Sequence, residues 1–225
     1  MSDQNAWREV MDAIGDTRLE LGPHYAHQAL RSPRHLLFTL ARYKFAARMF
    51  PVGRTIKVLE VGCNEGLGTM MFAEGGNQVL GVDLDATAIE HANRSLAVHG
   101  GVTFVCADII GAALGDHDAV VSLDVIEHIP PELEDAFLDG LWRHVGAEGF
   151  CVVGTPNEAA AAYASEASRI GHVNLFSPER LAAAMGRYFV NVFVFGLNDE
   201  VLHTGYFRMS HYILVIGSVP RTSPG

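Results

Sequence analysis

Cysteine is scarce in this chain of 225 residues: Cys63, Cys106 and Cys151 are the three it has, an odd number with no C-x-x-C pair. Neither a disulfide framework nor a paired-cysteine zinc site fits that pattern, and all three are expected as buried, reduced thiols inside or beside strands. Basic residues are also few, 16 Lys and Arg against 26 Asp and Glu, for a formal charge of −10. A surface that tracks a phosphate backbone needs the opposite balance, and no local Lys/Arg cluster supplies it, so nucleic acid is not expected as a partner. No apolar run approaches membrane-spanning length, and the polar start Met1-Ser2-Asp3-Gln4-Asn5 is not followed by the apolar core of a leader. The expectation is a soluble, cytoplasmic protein with no membrane partner. Repeats and low-complexity tracts are absent as well.

What is present is core material. At 49% hydrophobic residues the chain can build one medium-sized domain that folds alone. Residues 6–50 read as helices interrupted at Leu21-Gly22-Pro23 and at Ser32-Pro33, so residues 1–52 are expected as a helical cap and residues 53–225 as the core. From Thr55 onward short apolar runs alternate with helical patterns. Strands are expected over 56–61, 78–82, 102–106, 119–123 and 150–153, and helices over 67–73, 86–98 and 131–145. That alternation predicts an α/β fold, a mostly parallel sheet with helices on both faces. Ser177 and Pro178 read as the N-cap and first residue of a helix through Met185. Two β-rich segments, 189–195 and 211–219, complete seven strands, with the last placed to run antiparallel. The alanine-rich run 158–164 predicts a short helix in a lid-like connection.

The most informative run is Val58-Leu59-Glu60-Val61-Gly62-Cys63-Asn64-Glu65-Gly66-Leu67-Gly68, where an apolar strand breaks into a glycine-rich turn. Glycines let the backbone approach a nucleotide with no Cβ in the way, and the helix expected next would offer unpaired N–H groups. Glu60 would repel a pyrophosphate and attract a cation, so the ligand is expected to carry positive charge. In an open α/β sheet ligands sit beyond the carboxyl ends of the strands. That nominates Glu60, Gly62, Asn64 and Gly66 after the first strand, Asp83 and Leu84 after the second, Asp108 and Ile109 after the third, and Leu123 and Asp124 at the fourth. Asp83, in Gly81-Val82-Asp83, stands where a carboxylate accepts hydrogen bonds from ribose hydroxyls.

Over roughly residues 55–155 this pattern resembles the class I methyltransferases that use S-adenosylmethionine. The resemblance implies a Rossmann-like fold and S-adenosylmethionine as cofactor. It further implies that Asp108 receives the adenine amino group, that the Ile109 N–H meets an adenine ring nitrogen, and that Leu84 packs on the adenine face. The family's turn usually reads Gly-x-Gly-x-Gly. Asn64 stands at the middle position here, and Asn is the non-glycine residue most tolerant of positive φ. A nicotinamide-dependent oxidoreductase would share the fold and Asp83 but has no use for Glu60 or Asp108.

Methyl transfer asks the protein to align a nucleophile and, for a hydroxyl, to remove its proton. The segment Asp124-Val125-Ile126-Glu127-His128 follows the fourth strand on the ligand side. In a helical turn Asp124, Glu127 and His128 would stand at i, i+3 and i+4, facing one way. Histidine is the side chain suited to exchanging a proton near neutral pH, so His128 is the first candidate for general base; the other reading is that it pins the turn by hydrogen bonding. His172 and His203 follow the fifth and sixth strands and are delivered to the same edge. Asp124, Glu127, His128 and His172 also resemble the set with which small-RNA terminal 2′-O-methyltransferases hold a metal, and the ubiquinone-pathway O-methyltransferases carry a similar Glu-x-x-Glu-His step. That resemblance brings in a divalent metal able to lower a hydroxyl pKa, although mixed carboxylate and imidazole clusters often only orient one another. Arg42 and Lys44 are candidates for a ligand carboxylate, against a solvated helix flank. Pro33 to Phe38, Arg42 to Phe45 and Asn198 to Gly205 resemble bacterial methyltransferases associated with surface-polysaccharide genes. The expected reaction is therefore O-methylation of a small polar acceptor such as a sugar or nucleotide-linked sugar. N-methylation, the oxidoreductase, and a non-catalytic partner subunit are the alternatives. The oligomeric state is not read from the sequence.

Overall fold

The computed structural model describes residues 2–96 and 100–225. Three helices come first, α1 (Ser2–Ile14), α2 (Pro23–Arg31) and α3 (Pro33–Arg48), and Pro23 and Pro33 sit at the first helical positions as their fixed φ favours. Residues 5–20 are exposed throughout, whereas α2 and α3 bury Tyr25, Thr39, Tyr43 and Ala46. The core then alternates: β1 (Lys57–Val61), β2 (Gln78–Asp83), α4 (Ala86–Leu96), β3 (Val102–Cys106), β4 (His117–Leu123), α5 (Glu134–Trp142), β5 (Val145–Pro156), α6 (Glu166–Gly171), α7 (Pro178–Gly186), β6 (Phe189–Asn198), β7 (Val201–His203) and β8 (Tyr212–Pro220). Residues 97 and 98, the expected end of α4, lie outside the described residues. Ser177 caps α7 as expected, its hydroxyl accepting the Arg180 N–H at 3.2 Å.

One sheet of order β3-β2-β1-β4-β5-β8-β6-β7 carries the domain. The first five strands pair in parallel, and β8 inserts antiparallel between β5 and β6. The count is eight, one more than expected, because β6 runs on to Asn198 and folds back through Asp199 and Glu200 into β7. Asp199 takes φ 54, the conformation tight hairpins demand. Alternate residues of each strand feed opposite cores. Leu59, Val61, Val120 and Val153 pack with Phe137 and Leu141 of α5 and Leu181 and Met185 of α7. Val58, Val121, Val152 and Leu214 pack with Tyr43 and Ala46 of α3.

Three expected helices change form. Residues 67–73 make no α-helix but a 3-10 turn over Thr69–Met71, followed by another over Glu74–Gly76. Glycines at 66, 68, 75 and 76 leave too short a stretch between them to repay helix nucleation. The segment 131–145 splits into a 3-10 turn at Pro131–Leu133 and α5, with β5 already under way at Val145. The alanine run is 3-10 over Glu158–Tyr163. Among the described residues no helix is long and apolar enough to cross a membrane.

Candidate active site

The loops after β1, β2, β3, β4, β5 and β6 meet α2 and α3 around one cleft of about 1230 Å³. Single small-ligand pockets run to roughly 300–1,000 Å³, so this cleft is larger than one such ligand requires. The turn after β1 depends on two glycines. Gly62 has φ 82, and a Cβ there would fall 2.1 Å from Val125 Cγ2. Gly66 has φ 80, with the Phe104 ring 2.5 Å from where its Cβ would be. Asn64 keeps the turn at φ 49. Its N–H donates to Asp83 Oδ2 at 2.8 Å and its Oδ1 accepts the Glu65 N–H at 2.7 Å, so turn and acidic strand end are locked together.

Gly62, Asn64, Asp83, Leu84, Asp108, Ile109 and Leu123 all line the cleft. Leu84 stands on its wall 67% exposed, an apolar face without a cover. Asp108 Oδ1 accepts the Ile110 N–H at 2.9 Å. Gly66 serves from behind, against Phe104, and does not reach the cleft.

Glu60 departs from expectation. It shares its strand face with Val58, the face that α3 covers, so its carboxyl turns beneath the turn and away from the cleft. It is 2% exposed. Thr69 and Tyr43 lie against it, yet neither carboxyl oxygen has a partner at hydrogen-bond geometry. Burial pushes its pKa up to about 7 from an ordinary 4.5. Between those values the folded chain holds a proton that the unfolded chain has released, so stability falls as pH rises from about 4.5 to about 7. The loss is on the order of 3 kcal/mol. Denaturant unfolding across that range checks this: Glu60→Gln is expected to flatten the slope, and an unchanged slope would remove Glu60 as its source.

The catalytic candidates separate. A 3-10 turn over Ile126–His128 carries His128 into the cleft, and its Nδ1 lies 2.8 Å from the Gly171 carbonyl oxygen. A carbonyl only accepts, so Nδ1 carries the proton and Nε2 is left as the acceptor. His172 also lines the cleft, its ring edge-on to His128 at 5.0 Å, and burial followed by the His128 charge holds its pKa below the ordinary value. Glu127 is buried, with Oε2 accepting the Thr155 hydroxyl at 2.9 Å, and burial followed by Asp124 raises its pKa above the usual carboxylate range. One donor atom from each of Glu127, His128 and His172 lies within 4.8 Å of the others.

His203 does not join them. It ends β7 with Nε2 on Asn198 Oδ1 at 2.7 Å, fastening the hairpin, and it does not line the cleft. His211 does. Asp124 leaves the expected trio because φ 58 breaks the helical phase, and its two carboxylate oxygens both take Arg42 Nη1 at 2.6 Å. Arg42 also lies over the Tyr212 ring, 3.8 Å from its centroid. It is thus a bolt between α3 and β4, not a free cation, and Lys44 is exposed away from the cleft. Sequence reasoning missed the cap's share of the wall, His24, Tyr25, Gln28 and His35, which nothing in local spacing ties to the turn.

A β3-β2-β1-β4-β5-β8-β6 sheet is the Rossmann-like fold shared by the class I methyltransferases, enzymes that use S-adenosylmethionine. Residues 58–149 match the family described as methyltransferase domain. A probable S-adenosylmethionine-dependent methyltransferase of Mycobacterium tuberculosis is 33% identical over 112 residues, 49% of this chain and 39% of that one. A ubiquinone biosynthesis O-methyltransferase of Methylococcus capsulatus is 31% identical over 108 residues, 44% of this chain and 40% of its own. The chain thus spans about two fifths of the length of these curated relatives. The N-methyltransferase NodS of Bradyrhizobium japonicum, solved with S-adenosylhomocysteine, superposes with a TM-score of 0.63 over 82% of this chain and 88% of its own, at 16% identity, a likeness of fold.

The residues present fit that cofactor. Asp83 can take ribose hydroxyls, Asp108 and the backbone of Ile109 the adenine edge, and Leu84 the adenine face.

Proposed function

We propose that the protein methylates a hydroxyl of a small polar acceptor, with His128 as the general base. The observation that carries this is the His128 Nδ1 contact with the Gly171 carbonyl, which fixes the tautomer whose Nε2 can take a proton. When bound, S-adenosylmethionine supplies a methyl group already activated by its sulfonium. The chain's part is to align the acceptor in the remaining cleft and to receive its proton on Nε2, from which it passes to solvent because His128 is exposed there. Ile129, Leu133, Ala160 and Ala161 offer apolar surface beside His172 and Asp199, a combination suited to a sugar ring, which has apolar faces and polar edges. A nucleotide-linked sugar fits the same reading. The acidic balance favours such a small molecule over nucleic acid. Three free thiols suit a reducing compartment such as the cytoplasm; Cys63 and Cys151 are buried as expected, whereas Cys106, at the end of the edge strand β3, is exposed.

A second reading draws on the Glu127, His128 and His172 cluster, which could hold a divalent cation against the acceptor oxygens. Purified protein is expected to bind S-adenosylhomocysteine in calorimetric titration and to transfer labelled methyl groups to hydroxylated metabolites. Transfer to amines alone would replace the O-methyl reading, and binding of a nicotinamide cofactor instead would replace the class of reaction. Absence of both binding and transfer would favour a non-catalytic partner. Undiminished transfer in excess chelator would sink the metal.

A further inference from the structure

The glycine turn holds more than a ligand. Glu65, within it, is 6% exposed, and its carboxylate spans the start of α2: Oε1 accepts the His24 N–H at 2.8 Å and Oε2 the Tyr25 N–H at 3.0 Å. These are the first two N–H groups of α2, since Pro23 has none, and the N-cap residue Gly22 has no side chain to satisfy them. Gly22 also makes the room. A Cβ there would fall 2.2 Å from Glu65 Cδ, although its φ of −70 is open to any residue.

The connection runs on in both directions. Behind Glu65, its own N–H rests on Asn64 Oδ1 and the Asn64 N–H on Asp83, the ribose candidate. Ahead of it, α2 carries His24, Tyr25 and Gln28 onto the cleft wall. The Gln28 side chain places Nε2 2.8 Å from His24 Nε2 and leaves Oε1 buried with no partner. A buried acceptor without a donor is costly in a folded protein, and since Gln28 lines the cleft, a ligand that reaches Oε1 with a donor would relieve that cost.

We propose that Glu65 is the positioning residue by which the cofactor turn docks the cap, and that the docked cap presents Gln28 Oε1 to a donor group of the cofactor. Resting on the reading of this cleft as an S-adenosylmethionine site, it makes cap docking and cofactor binding two halves of one equilibrium. Whatever factor docking adds to cofactor affinity, the cofactor must return to docking.

Two variants attack the contact from opposite sides, Glu65→Gln and Gly22→Ala, the second leaving the turn's own residues untouched. S-adenosylhomocysteine is the probe, followed by titration calorimetry and by amide hydrogen exchange over residues 23–31. In the wild type, binding is expected to slow exchange in that segment. In both variants the dissociation constant is expected to rise on the order of tenfold, the loss of about one charge-assisted hydrogen bond, with exchange in 23–31 faster in the free protein and core strands unchanged. Gln28→Leu should weaken binding while leaving free-state exchange as it was. If the wild type binds and both variants bind within about twofold of it, the inference is overturned and the cofactor site stands. Faster cap exchange with unchanged affinity also overturns it, since Glu65 would then only tie down a helix. Failure of the wild type itself to bind would remove the cofactor reading with it. Should Glu65→Gln fail to fold, Gly22→Ala decides between the same two outcomes by itself.

Discussion

His128→Ala is expected to lower methyl transfer by roughly 10²–10⁴-fold, the usual worth of a positioned general base, while S-adenosylhomocysteine binds within about twofold of the wild type. The separation follows from geometry. His128 lines the cleft after β4, whereas the cofactor candidates Asp83, Leu84 and Asp108 line it after β2 and β3. The loss should also depend on acceptor: a more acidic hydroxyl needs less help, so the ratio of wild-type to variant rate should shrink as acceptor pKa falls. His172→Ala keeps the Gly171 carbonyl and hence the His128 tautomer, and a smaller fall, on the order of tenfold, is expected of it. Steady-state rates with labelled cofactor measure both. Near-wild-type transfer by His128→Ala would end the base assignment and leave that residue as a pin for the turn.

Arg42→Met is expected to lower stability by about 3 kcal/mol, the low end for breaking a buried ion pair because Asp124 keeps 30% of its side chain exposed. In a chain of this size that is a fall in melting temperature of roughly 6–12 °C. Burial opposes the charge on Arg42, and the Asp124 carboxylate together with Tyr212 and Glu127 outweighs it, so removing Asp124 or Arg42 leaves the other stranded. Pairing the change with Asp124→Asn should recover part of the loss, as a neutral amide no longer needs a cation. Thermal melts of the two singles and the double give the coupling directly. A double variant no better than the sum of the singles would show that Arg42 acts through its packing on Tyr212 and not through charge.

Which parts of this site the sequence could reveal depends on how far apart the interacting residues lie. Asp83 and Asp108 were legible because each follows a strand whose apolar run is plain, and parallel strands put such residues on one edge. The face of a residue within a strand is harder to read: Glu60 ends β1 as expected but points with Val58 beneath α3. The Asp124, Glu127 and His128 spacing implied a shared helical face, and one positive φ at Asp124 undid it. His203 was delivered to the right end of the sheet and then absorbed by a hairpin whose return strand is three residues long. Nothing local could reveal Glu65 on α2, a contact across 40 residues.

The carbonyl that fixes His128 belongs to Gly171, at the end of α6, and the next residues return to the core through Val173 and Asn174, whose N–H groups both rest on the Glu127 carbonyl at 2.8 and 3.1 Å. Any outward swing of that connection to admit an acceptor takes the carbonyl with it and frees the imidazole to carry its proton on either nitrogen. A base role for His128 would then depend on how firmly the Val173 and Asn174 contacts hold the end of α6 as much as on the imidazole itself.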